Sequence, residues 1–257
     1  MLLAVDVGNS ETVIGLFEDG APELVDHWRV ATNAERTSDE MALLVQEFLA
    51  FHGFSFDTDI AGVAVCSGVP SVTAALRQMS DRYFGFPALV LEAGVKTGVP
   101  ILYDNPKEVA ADRIANAVAA LERFDPPIIV VDFSSTATIF DAISAKGEYL
   151  GGTIVPGVEV SLDALVGRAA MLRRVELVEP RSVIGRSVVE SIQAGVVYGT
   201  VDAVDGIVGR FKEELGDCTV VATGSIAGLV GPLSKTIEHH DPWLTLRGLR
   251  IIFEKNQ

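Results

Sequence analysis

Features that mark disulfide-stabilised, zinc-binding or membrane proteins are scarce in this sequence. Its 257 residues include only two cysteines, Cys66 and Cys218, and neither stands in a CxxC or Cys/His ligand spacing. Neither a disulfide framework nor a zinc site is therefore expected. No apolar run approaches the roughly 20 residues that a bilayer-spanning helix requires, so we expect no membrane segment.

Positive charge is also in short supply, with 20 Lys and Arg against 35 Asp and Glu and a formal net charge of -15. Since no basic patch stands out, nucleic acid and anionic membrane surfaces are poor candidates as partners. An anionic small molecule would need backbone amides or a metal ion in order to bind. The opening residues, MLLAVDVGNS, have no basic leader, so they indicate a strand and a cytoplasmic protein rather than a signal peptide.

What the sequence does contain is a pattern that occurs twice. A β-meander is predicted at Leu2–Val7, Thr12–Phe17 and Glu23–Val30, and again at Ile128–Phe133, Ala137–Ser144 and Glu148–Val155. After each meander, residues 60–79 and residues 218–233 both predict a strand, a glycine-containing loop and a helix. In each half a carboxylate, Asp6 or Asp132, stands at the end of the first strand.

This internal duplication predicts the fold. It is the layout of the superfamily that unites sugar kinases, acetate kinase, heat-shock chaperones and actin. We therefore predict an α/β protein made of two similar, duplicated domains of the actin-like ATPase (ribonuclease H-like) type, with a cleft between them that Asp6 and Asp132 face. The domains are expected at residues 1–118 and 119–257. This boundary lies close to Pro126-Pro127, two prolines that should end the preceding helix.

Three helices are predicted between these strands. Thr37 and Glu40 form a capping box before MALLVQEFLAF. Asn105 and Pro106 mark the start of a helix that runs toward Phe124. The stretch 187–215 is helical but contains Gly195, Gly199, Gly206 and Gly209, which indicate either a close helix approach or a break.

Short motifs along the whole chain resemble, in the same order, those of the type III pantothenate kinase family. The motifs are Asp6-Val7-Gly8-Asn9-Ser10, Tyr103-Asp104-Asn105-Pro106, Ala111-Asp112-Arg113-Ile114, Gly151-Gly152 with Pro156-Gly157, Ala222-Thr223-Gly224, and the ending Asp241-Pro242-Trp243 with Gly248-Leu249. The resemblance implies ATP-dependent phosphorylation of pantothenate to 4'-phosphopantothenate, the first step of coenzyme A biosynthesis. It also implies a homodimer, Mg²⁺ with ATP, and a monovalent cation, K⁺ or NH₄⁺.

Asp6 suits a carboxylate that holds Mg²⁺ through water, while amides of the Gly8-Asn9-Ser10 turn meet phosphate. The alternative is an Asp that closes a hairpin turn through its own hydrogen bonds. Asp112 lies on a largely apolar helix stripe and resembles the family's general base, whereas the competing interpretation is an intrahelical pair among Glu108, Asp112 and Arg113.

The resemblance assigns the remaining roles. Arg113 and Ala111 would shape the pantothenate site, Tyr103 would contact pantothenate or simply be partly buried, and Asp132 would bind the monovalent cation. Nucleotide phosphate would meet Ser135, Thr136, Thr223 and Gly224, the last two because a glycine-containing strand-to-helix turn exposes amides.

Several motifs depart from the usual family pattern. Ser134-Ser135-Thr136 lacks the turn glycine after Asp132, so either one residue has been added or the turn has been rebuilt, with a cost if a positive φ is needed there. Ala111 replaces a usual Gly, and Val188 takes the place of a Thr expected near substrate. The sequence therefore leaves two classes open, an active pantothenate kinase or a non-catalytic relative that binds a ligand or partner. A phosphatase or another small-molecule kinase of the superfamily fits the motifs less well.

Overall fold

Each half of the chain builds one five-stranded mixed sheet in the computed structural model, which describes residues 1–169 and 171–257. The strands of the first sheet are β1 (Leu2–Val7), β2 (Glu11–Phe17), β3 (Leu24–Ala31), β4 (Gly62–Ser67) and β5 (Leu89–Val90). Their order is β3-β2-β1-β4-β5, with β1, β2 and β3 antiparallel and β4 parallel to β1. The central β1 is almost entirely apolar because it is covered on both faces.

The second sheet repeats this arrangement. Its strands are β6 (Ile128–Phe133), β7 (Ala137–Ile143), β8 (Tyr149–Pro156), β9 (Thr219–Gly224) and β10 (His239–His240). They lie in the order β8-β7-β6-β9-β10, and β9 is parallel to β6 just as β4 is parallel to β1. The predicted duplicated α/β fold is therefore confirmed strand by strand.

Helices follow the strands in both halves. They are α1 (Ser38–Phe51), α2 (Pro70–Met79), α3 (Ala111–Arg123), α4 (Val158–Arg168), α5 (Val188–Leu215), α6 (Ala227–Val230) and α7 (Leu244–Glu254), with short 3₁₀ or π segments at Ser80–Phe84, Pro106–Glu108 and Gly231–Leu233. The predicted capping box is confirmed, because Thr37 and Glu40 each bond the other's backbone N–H at the start of α1. No helix within the described residues is both long and apolar enough to cross a membrane.

The helix predicted from Pro106 begins later than expected. Asn105 caps only a 3₁₀ turn at Pro106–Glu108, and α3 starts at Ala111. Between them Val109 takes an extended backbone and buries its side chain. Burial of this valine interrupts the helical path that the Asn-Pro signal alone would allow.

Helix α5 shows no break over its 28 residues. A side-chain carbon built at Gly195, Gly199, Gly206 or Gly209 would meet no described atom within 4 Å. Neither predicted reason for these glycines, a break or a close approach within the chain, is therefore realised in the described part of the molecule.

The chain divides into two units that are not continuous in sequence. The first unit contains Met1–Val99, Asn105–Ala119 and Leu244–Gln257, and the second contains Pro100–Asp104 and Ala120–Trp243. Helix α7, near the end of the chain, thus belongs to the first unit, and the expected domains at 1–118 and 119–257 stay a prediction. Glycines allow this packing, because Gly62 makes room for the Phe253 ring and Gly248 lies against the backbone of Ala115.

We expect Gly248→Ala to destabilise the protein. Its new Cβ would lie 2.0 Å from the carbonyl oxygen of Ala115, a contact that only backbone movement can relieve. Overpacking of this kind typically costs about 1–3 kcal/mol, which chemical denaturation would measure as a lower free energy of unfolding.

The matched control is Gly206→Ala on α5, where the new Cβ meets open space. Alanine in a helix interior is favoured over glycine by roughly 0.5–1 kcal/mol, so this variant should be slightly more stable than the parent. Equal effects of the two substitutions would contradict the close α7–α3 packing.

Candidate functional site

The candidate residues of the first unit begin at the end of β1 and the turn that follows. Asp6 is the fifth residue of the strand, and the exposed turn Gly8-Asn9-Ser10 leads into β2. The turn is closed by the Gly8 N–H, which donates to the Glu11 carbonyl at 3.0 Å, and is braced by the Thr32 hydroxyl. Because the backbone closes this turn, the Asp6 carboxylate is not needed for that purpose.

Asp6 faces two other titratable groups instead. It lies opposite Cys66 in the parallel β1–β4 register, and the Cys66 thiol donates to its Oδ1 at 3.1 Å. Burial raises the pKa of Asp6 to about 7, and the nearby charge of Asp112 acts in the same direction. The structure thus brings together Asp6 and Asp112, two residues that are far apart in sequence and that sequence analysis singled out separately.

Asp112 stands in the first turn of α3. Its Oδ1 accepts the Arg113 N–H at 2.8 Å, while Arg113 itself is buried. Burial raises the pKa of Asp112, and the N–H and charge of Arg113 oppose that rise. Of the alternative pair among Glu108, Asp112 and Arg113, the Asp112–Arg113 contact is present, whereas Glu108 lies in the preceding 3₁₀ turn and accepts from Asn105. Ala111 opens α3 and is half-buried.

The C-terminal helix supports this end of α3. One turn beyond Asp112, the fully buried Asn116 accepts the Thr245 hydroxyl of α7 at 2.8 Å. Gly248 of α7 packs on the adjacent Ala115. The carboxylate of Asp112 is therefore carried by a helix that is fixed from behind by both hydrogen bonding and close packing.

The candidate residues of the second unit lie around the end of β6. Asp132 is the fifth residue of β6, as Asp6 is of β1, and it lies opposite Thr223 in the parallel β6–β9 register. Both side chains are buried. The predicted correspondence of Asp6 and Asp132 in the duplicated strands is confirmed.

The turn after β6 is rebuilt without an insertion relative to the first half. Register pairs Val7–Thr12 and Phe133–Thr138 each enclose four residues. The Ser134 hydroxyl closes the turn by accepting the Ala137 N–H at 3.2 Å and donating to the Ala137 carbonyl at 2.9 Å. Positive φ occurs only at glycines among the described residues, so the expected strain at 134–136 is absent.

Two glycines hold the backbone close to this rebuilt turn. Gly157, which precedes α4, donates its N–H to the Thr136 carbonyl at 2.9 Å, and any Cβ on it would lie 2.7 Å from the Ser135 carbonyl oxygen. Gly224, at the end of β9, has a φ of +93° and would clash through a Cβ with the Phe133 carbonyl. The Pro156-Gly157 and Thr223-Gly224 motifs thus converge on the turn that contains Ser135 and Thr136.

Tyr103 and Val188 lie elsewhere in the second unit. The Tyr103 ring is half-buried beside Tyr149, with ring centroids 6.5 Å apart, and it covers Gly151. Val188 is the first residue of α5 and is 57% exposed. It lines a mainly apolar cavity of about 1080 Å³ between β7, β8, α4 and α5.

The candidate residues fall into two groups. The first unit holds Asp6, Gly8, Asn9, Ser10, Ala111, Asp112 and Arg113, and the second holds Tyr103, Asp132, Ser135, Thr136, Val188, Thr223 and Gly224. Sequence analysis missed Cys66, although aligning its strand with 218–224 would have placed it opposite Asp6. That Asp6 and Asp132 face one cleft stays a prediction.

Metal binding by protein groups alone is not a feature of the described residues. Residues 1–169 and 171–257 contain no group of three or more His, Cys, Asp or Glu side chains that could hold a metal ion. Single carboxylates at the two strand ends fit hard cations that arrive with a phosphate ligand, because Mg²⁺ is often held by one or two carboxylates plus substrate oxygens.

Comparison with known structures defines the class. The chain is similar over 99% of its length to a Baf family transcriptional activator from Campylobacter jejuni, with TM-score 0.59, 18% identity and 98% of that chain covered. It is also similar to the (R)-2-hydroxyglutaryl-CoA dehydratase component A of Acidaminococcus fermentans, with TM-score 0.57, 14% identity and 100% and 99% coverage. At such identities these likenesses establish the fold alone, which is of the actin-like ATPase type.

Sequence comparison then defines the family. A family model described as type III pantothenate kinase matches residues 2–210. A type III pantothenate kinase of Streptomyces griseus is 53% identical, with 100% of this chain and 98% of the relative covered, and one of Thermobifida fusca is 52% identical with 100% of both covered. The chain belongs to the type III pantothenate kinase family.

We expect Asp6→Asn to stabilise the ligand-free protein, more strongly as the pH rises. With a folded-state pKa of about 7 against an ordinary 3.8, the folded chain binds more protons than the unfolded chain between these values. Asp6 therefore lowers the free energy of unfolding increasingly from about pH 4 to pH 7. The gain from Asp6→Asn should be near zero at pH 4 and on the order of 1–3 kcal/mol at pH 8.

Denaturant unfolding at several pH values measures this difference. Asp19→Asn, at an exposed turn, removes the same charge and serves as the control. A gain from Asp6→Asn that does not change with pH would contradict the buried, proton-binding environment of Asp6.

Proposed function

We propose that the chain is an ATP-dependent kinase that phosphorylates pantothenate to 4'-phosphopantothenate, the first step of coenzyme A biosynthesis. The observation that carries this proposal is the match to family members over the whole length of the chain, and Asp6 and Asp112 lie near enough in the first unit for their charges to interact. Phosphoryl transfer needs placed phosphates and a placed hydroxyl, with little covalent help from protein.

Asp112 is proposed as the general base. As the pantothenate primary hydroxyl attacks the γ-phosphorus, its proton passes to the Asp112 carboxylate and the bond to the ADP oxygen breaks. Burial raises the pKa of Asp112, which brings the carboxylate closer to the pH at which a base must accept a proton. The support of α3 by Asn116–Thr245 keeps this carboxylate in one place.

The nucleotide phosphates are proposed to lie against the two strand-end turns. Gly8, Asn9 and Ser10 would offer backbone amides on one side. On the other, the candidates are the Ser135 and Thr136 hydroxyls and the Thr223-Gly224 turn. The N-terminus of α4 packs on the Ser135–Thr136 backbone through Gly157, so its positive end favours an anion there.

Two cations are proposed to assist. Asp6 would hold the Mg²⁺ that accompanies ATP through water, and Asp132 would hold K⁺ or NH₄⁺. When bound, these ions neutralise phosphate charge. The buried hard oxygens of Asp132, beside Thr223 in the register, suit a monovalent cation better than a soft metal.

Pantothenate-binding roles are proposed for residues of each group. The Arg113 guanidinium would attract the pantothenate carboxylate. Tyr103 would contact the pantothenate chain, and the Ala111 methyl group would narrow the space for the substrate. Val188, where the family usually has Thr, would contribute an apolar wall instead of a hydroxyl.

The non-catalytic alternative is less well supported. One of its sequence arguments was the missing turn glycine after Asp132, yet Ser134 closes this turn without positive φ. Relatives that share half of the residues over the full chain are named as kinases. That nucleic acid and membranes are not partners, and that the protein is cytoplasmic, remain predictions.

A homodimer is also part of the proposal. Large apolar side chains are exposed around the start of α5 and on β8, namely Ile154, Val183, Ile184, Val188 and Val189. A self-complementary contact would cover these side chains, and the open glycines Gly195 and Gly199 in the first half of α5 would permit close approach of a second copy.

Light scattering should therefore report about twice the 27.3 kDa chain mass at micromolar concentration. Ile184→Asp, at a side chain 77% exposed, should shift the population toward monomer because it places a charge in the covered patch. Leu43→Asp on α1, at an exposed position outside this patch, is the control and should not. A monomeric parent protein would contradict the dimer.

We expect the protein to release ADP with pantothenate, Mg·ATP and K⁺, and Asp112→Asn to lower turnover by about 10²–10⁴-fold, the usual contribution of a general base. Asparagine keeps the size of the side chain but cannot accept the proton. Nucleotide affinity measured by calorimetry should change little.

Asp6→Asn is the contrasting variant. Because it removes charge near the phosphates, it should raise the KM for Mg·ATP more than Asp112→Asn does. Equal turnover by Asp112→Asn and by the parent protein would contradict the proposal that Asp112 is the general base. If the parent binds nucleotide or pantothenate without turning over, the binding-protein alternative holds.

A further inference from the structure

We infer that Cys66 is a positioning residue whose thiol fixes the Asp6 carboxylate in the orientation used for Mg·ATP. The inference rests on the proposed function for the role of Asp6, and on the geometry of β1 and β4 for the contact. Cys66 itself would touch neither nucleotide nor pantothenate.

The contact is built into the sheet. Asp6 and Cys66 are direct register partners on neighbouring parallel strands, so their Cα positions are held by the β1–β4 ladder. The Cys66 Sγ lies 3.1 Å from Asp6 Oδ1, and the Cys66 side chain is completely buried. Since one carboxylate oxygen accepts the thiol, the other is left for a ligand.

The thiol is suited to act as a permanent donor. Burial raises the pKa of Cys66 well above its ordinary value, and the charges of Asp6 and Asp112 add to the effect. A thiol is only a weak donor, so it orients the carboxylate without competing strongly with a cation or water for its charge.

The duplicated half supports the same logic. Asp132 on β6 lies opposite Thr223 on β9, at the register position that Asp6 and Cys66 occupy on β1 and β4. Both strand-end carboxylates are thus matched across the sheet by a small, buried residue that carries a hydrogen-bond donor. A repeated donor at one register position is unexpected if these residues only fill space.

Loss of the donor should affect use of Mg·ATP. The terminal torsion of an aspartate is broad, so a carboxylate without this contact samples more orientations. A buried carboxylate that loses a donor also loses stabilisation of its charged form. Both effects weaken the ground-state contact to the nucleotide complex more than they affect the proton transfer at Asp112.

The experiment compares Cys66→Ala, Cys66→Ser and Cys218→Ala. Cys66→Ala removes the donor and should raise the KM for Mg·ATP about threefold to tenfold, the range expected for one ordinary hydrogen bond. The kcat and the KM for pantothenate should stay within about twofold of the parent, and Cys66→Ser should restore most of the loss because it keeps a donor. Cys218→Ala alters the other buried cysteine, just before β9, and should leave all constants unchanged.

The S–H stretching band in the infrared provides a readout that needs no activity. The difference spectrum between the parent protein and Cys66→Ala isolates the Cys66 band, which should lie at lower frequency than the Cys218 band. Asp6→Asn replaces the carboxylate by a weaker acceptor, so it should move the Cys66 band to higher frequency. If Cys66→Ala does not fold, the same band is isolated by Cys66→Ser or followed directly in Asp6→Asn.

The outcomes separate this inference from the proposed function. A parent protein that does not phosphorylate pantothenate overturns the function, while the infrared shift still decides the thiol–carboxylate contact. An active parent with an unchanged KM in Cys66→Ala overturns the inference alone. An equal rise in the KM for Mg·ATP in Cys66→Ala and Cys66→Ser also overturns it, because packing rather than hydrogen-bond donation would then be responsible. A Cys66 S–H band whose frequency does not change in Asp6→Asn overturns it as well.

Discussion

The buried carboxylate at the end of the central strand is the constraint around which each half of this protein is arranged. Asp6 interrupts an otherwise apolar β1, where burial and the charge of Asp112 raise its pKa to about 7. A charge in such a place is costly unless other groups stabilise it. The thiol of Cys66 donates to this carboxylate, and the ladders on both sides of β1 fix the strand that carries it.

The same constraint explains the support around α3. The helix begins late because Val109 is buried in an extended conformation, and this sets which residue occupies its first turn. Asn116 and Gly248 then attach α3 to α7, a helix that comes from the far end of the sequence. The first unit is complete only when the chain returns to it, so residues near the C-terminus support the helix that carries Asp112.

The sequence predicted the architecture well because its signals were local or repeated. Alternating apolar segments and turns placed β1, β2, β6 and β7 within a residue of their ends, and the duplication predicted that the second half repeats the first. It failed where tertiary packing decides, as at Val109 and at the glycines of α5. It also overlooked Cys66, since a buried cysteine looks apolar until the register shows that it faces Asp6.

Motif departures show why a residue pattern and a backbone geometry must be read separately. A missing glycine after Asp132 suggested strain, because glycine often supplies a conformation that other residues avoid. Here the Ser134 hydroxyl takes over the hydrogen bonds that close the turn, while Gly157 and Gly224 keep the close approaches that no side chain could replace. Glycine is thus retained where space is lacking and exchanged where a hydroxyl can close the turn. The backbone path at the turn after Asp132 is therefore preserved despite the altered motif. Val188 is different, because valine in place of the usual threonine replaces a hydroxyl by an apolar surface.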